Sequence, residues 1–170
     1  MAVSTVTKNW TAGSVTLRDG TSSPVSLALD FDNGDFSISG LAKSLREVSK
    51  YERRGSFQTA ALAARTYPTG SFTAQMTQFS EASGTGTIAD FILQQAAYSA
   101  NVSTLGSGTA LPYTIDIVFA VEGTNFGDSA DHTFTLTDCR TTFDFSEGDP
   151  NAYSISFEVL GAVSGDLAAS

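Results

Sequence analysis

The chain has 170 residues, 41% of them hydrophobic and 16% charged, with a formal net charge of −9. That length suits one domain with a real core, and the apolar share argues against disorder. The acidity argues against a surface that grips phosphate backbones, and the single cysteine, Cys139, excludes an intramolecular disulfide.

Serine and threonine make up 43 residues and glycine 15, a polar supply that favours strands and short turns over helices. Residues 1–12 carry the only tryptophan, Trp10, and read as a lead that is flexible or ordered by neighbouring subunits. They lack the apolar stretch of a signal peptide, and the longest apolar run, Ile117 to Val121, is too short to span a membrane, so folding in a cytoplasm is the expectation. Val15 and Leu17 mark a strand over 14–18, and Asp19-Gly20 opens a turn.

Val25, Leu27, Leu29 and Phe31 then alternate with small or acidic residues up to Asn33-Gly34, the pair best suited to a two-residue hairpin turn. Counting outward sets Phe31 against Phe36 and Leu29 against Ile38, and places Asp30, Asp32 and Asp35 together on the opposite face. The first three strands then form a meander.

Residues 41–55 form an unusual arm. Lys43, Arg46, Lys50, Arg53 and Arg54 are five of the chain's nine Lys and Arg residues, and with Glu47 and Glu52 the segment carries +3. With −9 in total, the remainder carries −12. A basic projection on an acidic body suits contact with another copy of the chain. Ser44-x-x-Glu47 fits a capping box, and Leu45, Val48 and Tyr51 have helical spacing; Tyr51, Gly55 and Phe57 also fit period two. We read the arm as extended, running into a strand to about residue 63.

Tyr67-Pro68-Thr69-Gly70 is a turn, and 71–79 another strand. Thr87-x-x-Asp90 caps a helix over 88–100, with Ile88, Phe91, Ile92, Gln95 and Ala96 on its inner face. Tyr113 to Val121 is a strong strand. Phe134 and Leu136 alternate at even positions, but Thr141, Phe143 and Phe145 at odd ones, which predicts a bulge or break at 137–139. Tyr153, Ile155, Phe157 and Val159 form the last strand, and 161–170 read as a frayed end or one ordered by neighbours.

The chemistry-bearing residues are sparse. His132 is the only histidine, expected as an exposed loop residue, and with one cysteine it falls short of a zinc site. Asp30 to Asp35 resembles a calcium loop, but its glycine comes early and position twelve is Leu41 instead of Glu. Asp144, Glu147 and Asp149 read as surface-turn carboxylates before they read as a glycosidase pair. Cys139, beside Arg140, reads as an inert thiol in the bulge. No nucleophile elbow or phosphate loop occurs. The residues imply no cofactor, no metal and no catalytic group. The expected fold is mainly β: a sandwich or half-barrel of about eight strands in one domain over 1–170, with one flanking helix and the long arm.

Several stretches in order resemble the major tail tube proteins of long-tailed bacteriophages: Gly13 to Gly20, Asp32 to Ile38, Tyr51 to Gly55, Tyr67 to Phe72, Val121 to Gly127 and Phe157 to Gly165. The resemblance implies a structural virion protein, made in the host cytoplasm and located in the tail. It would assemble into stacked, usually hexameric rings that form a hollow conduit for DNA. It implies a tape-measure protein, a tail terminator and baseplate or tip proteins as partners, with DNA only in transit and no membrane insertion. On this reading Lys43, Arg46, Lys50, Tyr51, Arg53 and Arg54 contact a neighbouring subunit or ring, and Asp30, Asp32 and Asp35 are candidates for an acidic lumen face. The rivals are another ring-forming phage component or secretion-system tube, and a monomeric carbohydrate-binding β-sandwich.

Overall fold

The structure, a computed structural model, describes residues 13–29, 35–41, 46–76, 86–108, 110–124, 130–149 and 151–165. In these the chain is mainly β. Its strands are β1 (Gly13–Arg18), β2 (Ser26–Leu29), β3 (Ser37–Ser39), β4 (Arg46–Arg53), β5 (Ser56–Arg65), β6 (Thr69–Gln75), β7 (Ile115–Val121), β8 (His132–Ser146), β9 (Ala152–Val159) and β10 (Val163–Ser164). One helix, α1 (Ile88–Leu93), is followed by a 3₁₀ turn at Ala96–Tyr98. The main sheet is antiparallel in the order β2-β1-β7-β8-β9-β6-β3, with β10 also paired to β8; β4 and β5 form a separate ribbon.

Alternation builds the core. Val15, Leu17, Ile115, Ile117, Phe72, Ile155 and Phe157 lie on the inner faces of their strands and are essentially shut off from water. Each such side chain contributes roughly 1.5–3 kcal/mol by leaving solvent. Phe36 ties the two sides together: its ring stacks on Phe119 of β7 at 4.3 Å and on Phe72 of β6 at 5.9 Å.

The phase change in β8 is a bulge, as its pattern predicts. Leu136 pairs with Ile117 and Cys139 with Ile115, so Thr137 and Asp138 together oppose Asp116. Asp138 takes a left-handed backbone (φ 55°), and its N–H donates to Asp116 Oδ1 at 3.0 Å. Before the bulge β8 pairs with β7; beyond it, from Cys139 to Ser146, it pairs with β9. One long strand thereby joins the two halves of the sheet. The chain answers this bend after β9: Thr137 exchanges hydrogen bonds with Ala162, and Gly161 N–H reaches Thr137 O. Residues 163–164, expected to fray, instead pair as β10 with Leu136 and Thr135, while 166–170 lie outside the described residues.

Two expectations fail. The turn expected at Asn33-Gly34 lies outside the described residues, but the strands flanking it are not hairpin partners: β2 pairs with β1, β3 pairs with β6, and the two stand at opposite ends of the sheet. Leu29 faces Val15, not Ile38. The sheet is nonetheless curled: Phe36, just before end strand β3, stacks on Phe119 of β7, four strands away in the order, where flat strands would stand about 19 Å apart.

The helix is also shorter than 88–100. Thr87 and Asp90 do form the capping box, and Ile88, Phe91 and Ile92 are buried against the sheet. The apolar face then runs out, Gln94 turns left-handed (φ 56°), and Ala96 and Gln95 are exposed. Without a face to bury, continuing the helix gains little, and helix propensity alone does not sustain it.

Candidate functional site

The ribbon of β4 and β5 is the least explained part of the molecule as a monomer. Arg53 pairs with Ser56, so Arg54 and Gly55 form a two-residue turn. Both have positive φ, 51° and 76°, as a turn matching strand twist requires. The pairing is regular from Tyr51/Thr59 to Val48/Leu62, with irregularities at each end of that stretch. A strand as long as β5 spans roughly 30 Å.

Among the ribbon residues whose exposure is described, all are exposed but Ser49 and Ala63, which are half-buried. Among the described residues its strands pair only with each other. Opposed residues share a face, so Val48, Leu62, Lys50 and Ala60 lie together, continued toward the tip by Glu52 and Phe57. Val48, Leu62 and Phe57 keep 52%, 59% and 64% of their surface in water. Tyr51, Thr59, Arg53 and Ser56 occupy the other face. An isolated two-stranded hairpin is marginal in water, and a row of exposed apolar side chains on free strand edges is a binding element by its physics.

The predicted contact residues are therefore collected. Arg46, Lys50, Tyr51 and Arg53 lie along β4, and Arg54 lies in its turn, all exposed. Lys43 lies outside the described residues. The apolar partners of these residues on β5 carry no clear alternation in sequence; the two irregular pairings and the run of alanines hide the period. The cue that was available is Arg54-Gly55 set between two extended stretches.

Of the expected acidic face, only Asp35 is among the described residues. Asp30 and Asp32 lie outside the described residues. Asp35 is half-buried, and its Oδ2 accepts the N–H of Thr73, tying the start of β3 to β6. A different polar face takes shape across β8, β9, β6 and β3. The register sets Thr142, Ser156, Ser71 and Ser37 in one row and Arg140, Glu158, Thr69 and Ser39 in the next. These rows line a shallow groove of about 590 Å³. Gly70 leaves space there that a side chain would take from Phe157 and the Ser37 carbonyl.

The remaining chemistry-bearing residues are held structurally. Asp19 is buried and accepts from Val25 N, Thr21 Oγ1 and Val102 N, joining the turn after β1 to the loop after α1. Cys139 is fully buried; burial, then the charge of Asp116, pushes its thiol pKa far up, which suppresses the reactive thiolate. Burial also raises the Asp116 carboxyl, with the Asp138 N–H opposing and the Asp138 charge adding to the rise. Asp131 is held below the usual range by the N–H and hydroxyl of Thr124, aided by His132, which stands half-buried at the start of β8. Asp144, Glu147 and Asp149 are exposed at the end of β8 and its turn.

The chain matches no protein-family model, no curated protein and no solved structure.

Proposed function

We propose that this protein is a structural subunit that assembles with copies of itself into stacked rings, as a tail tube subunit of a long-tailed bacteriophage does. The observation that carries this reading is the ribbon: β4 and β5 expose Val48, Phe57 and Leu62 and are not part of the main sheet. The ribbon, residues 46–65, has five basic and two acidic residues, and against a total of −9 the rest of the chain carries −12. Attraction between the ribbon of one copy and the body of another follows, and it weakens with salt where the charges are exposed. Edges left unpaired among the described residues, on the ribbon and on β2 and β3 at the ends of the main sheet, are further pairing surfaces that a ring would cover. In such a tube an acidic, hydroxyl-rich wall would repel phosphate and let DNA slide. Tape-measure, terminator and baseplate proteins would then meet the rings at the interior and ends.

Negative-stain microscopy and sedimentation velocity at low and high salt test the proposal. Hollow rings or tubes that unstack in salt are the expected result. A monomer that persists with a tape-measure protein and an initiator complex added would reject it.

The groove lined by Ser37, Ser39, Thr69, Ser71, Thr142 and Ser156 favours a second reading, a glycan-binding module, because hydroxyls with a flanking Arg140–Glu158 pair suit polyols. Retention on a glycan column, lost in Thr142→Val, would support that reading over assembly.

A further inference from the structure

The ribbon is rooted at one end of half of the sheet. Across β8, β9, β6 and β3, the register sets Arg140, Glu158, Thr69 and Ser39 level with one another at one end. It sets Ser146, Ala152 and Gln75 level at the other. Both legs of the ribbon join the first end, since β3 leads into β4 there and β5 leads into β6. The chain from β8 to β9 closes the second end, roughly 20 Å away along the strands.

That second end is the acidic counterpart of the ribbon. Asp144, Glu147 and Asp149 are exposed, and residues 141–157 contain no Lys or Arg, so this stretch carries −3 against the ribbon's +3. It also has an apolar centre. Phe145 pairs with Tyr153 at the margin of the core, with the two rings 5.9 Å apart, and 51% of its surface stays in water. Among the described residues outside the ribbon, Phe145 is the exposed large hydrophobic with exposed carboxylates on both sides of it in the sequence, Asp144 and Glu147. Other candidates match less well. Leu93, Val102, Leu105 and Leu111 are exposed around the loop after α1, where Asn101 helps to wall a cavity of about 280 Å³. Residues 91–115 contain no charge, however, and offer nothing to the ribbon's cations. Asp131 is exposed, but its carboxylate already accepts from the N–H and hydroxyl of Thr124.

The ribbon presents the matching face. Lys50 lies between the Val48–Leu62 pair and Phe57 on one side of it, and Arg53 and Arg54 stand at the tip. Apolar groups flanked by cations would thus meet an aromatic ring flanked by carboxylates. Phe57 and Phe145 both stay exposed within one copy, so the complement of each is sought in a second copy. We propose that the ribbon of one copy seats on the 144–149 end of the next, with Phe57 packed on Phe145 and with Lys50, Arg53 and Arg54 facing Asp144, Glu147 and Asp149. This rests on the assembly reading and specifies the receptor surface for it. The two contact surfaces belong to opposite ends of the strands, so the contact is heterologous. Copies add head to tail, all pointing the same way along their strands, and the contact propagates.

Sedimentation velocity on the full chain tests it by charge exchange. One variant reverses the ribbon, Lys50→Glu with Arg53→Glu, and the other reverses the receptor, Asp144→Lys with Glu147→Lys. Wild-type chain should form concentration-dependent oligomers. Each variant alone should associate roughly tenfold more weakly or worse, because like charges then face each other. Their equimolar mixture should recover association, since every reversed surface finds its opposite on the other variant. Phe145→Ser should weaken association to a similar degree. All five positions are exposed, and circular dichroism melts verify folding; Arg53→Glu and Glu147→Lys alone replace a double variant that melts early. Variants that assemble like wild type overturn this docking and leave the assembly reading standing. Loss in the ribbon variant with normal assembly of the receptor variant moves the receptor elsewhere on the body, and also overturns it. So do variants that stay monomeric both alone and mixed. A wild-type chain that stays monomeric with tape-measure and initiator proteins present removes the assembly reading itself, and this contact with it.

Discussion

The ribbon and the rolled sheet are built from the same antiparallel pairing, yet they differ in what the pairing accomplishes. In the sheet, alternate residues such as Phe72, Ile155 and Phe157 disappear into a shared core. In the ribbon, the same pairing leaves Val48, Phe57 and Leu62 in water. Hydrogen bonds between strands are nearly balanced by those to water, so burial decides stability. The sheet carries its own core; in the proposed assembly, the ribbon takes its missing burial from a neighbouring copy.

Substitutions should separate the two regions sharply. Phe72→Ala in the sheet should cost about 3–5 kcal/mol in urea unfolding, whereas Leu62→Ala in the ribbon should change the monomer by no more than about 0.5 kcal/mol. Equal effects would mean that the ribbon is packed in the monomer. Gly161→Ala should cost about 1–3 kcal/mol, because a Cβ there would stand 2.7 Å from the Thr137 carbonyl and 2.6 Å from Asp138 Oδ2 at the corner of the sheet. Gly55 also has a demanding backbone (φ 76°), but a Cβ there meets nothing. Gly55→Ala should cost the turn about 1 kcal/mol, visible as faster hydrogen exchange in the ribbon with the body unchanged.

Thr87→Ala removes the capping bond to Asp90 N–H and should cost about 1 kcal/mol in the same unfolding assay. The smallest effect is expected at Asp116. Its raised carboxyl pKa means that the folded state holds the proton more tightly than the unfolded chain does. That contribution is fully present below about pH 3.8 and is lost as pH rises through the folded pKa. Asp116→Asn keeps an acceptor for Asp138 N–H and cannot ionise. It should raise Tm by roughly 2 °C or less near neutrality and give no gain below pH 3.8. An unchanged difference across pH would show that charge is not the cause.

The sequence was informative wherever one residue's surroundings are set by its near neighbours. Thr87 and Asp90 announced the helix start because both capping groups lie within one turn. Phe134, Leu136, Thr141 and Phe143 announced the bulge because a strand that changes phase while keeping one face buried must absorb an extra residue. The basic residues of the candidate site were visible as composition. The apolar side of the ribbon and the cavity around Asn101 were not, since each depends on segments that meet only after folding.

In the main sheet, alternation by itself determined which residues are strands and which of their faces is buried, because that choice is local. It did not determine partners. Asn33-Gly34 between two alternating stretches is the pattern of a hairpin, and yet Leu29 found Val15 and Ile38 found Gly70. Period two specifies a face and is silent on which strand lies alongside. Only the tertiary structure decided that, by rolling the sheet so that Phe36 could stack between Phe119 and Phe72, a burial no single hairpin offers.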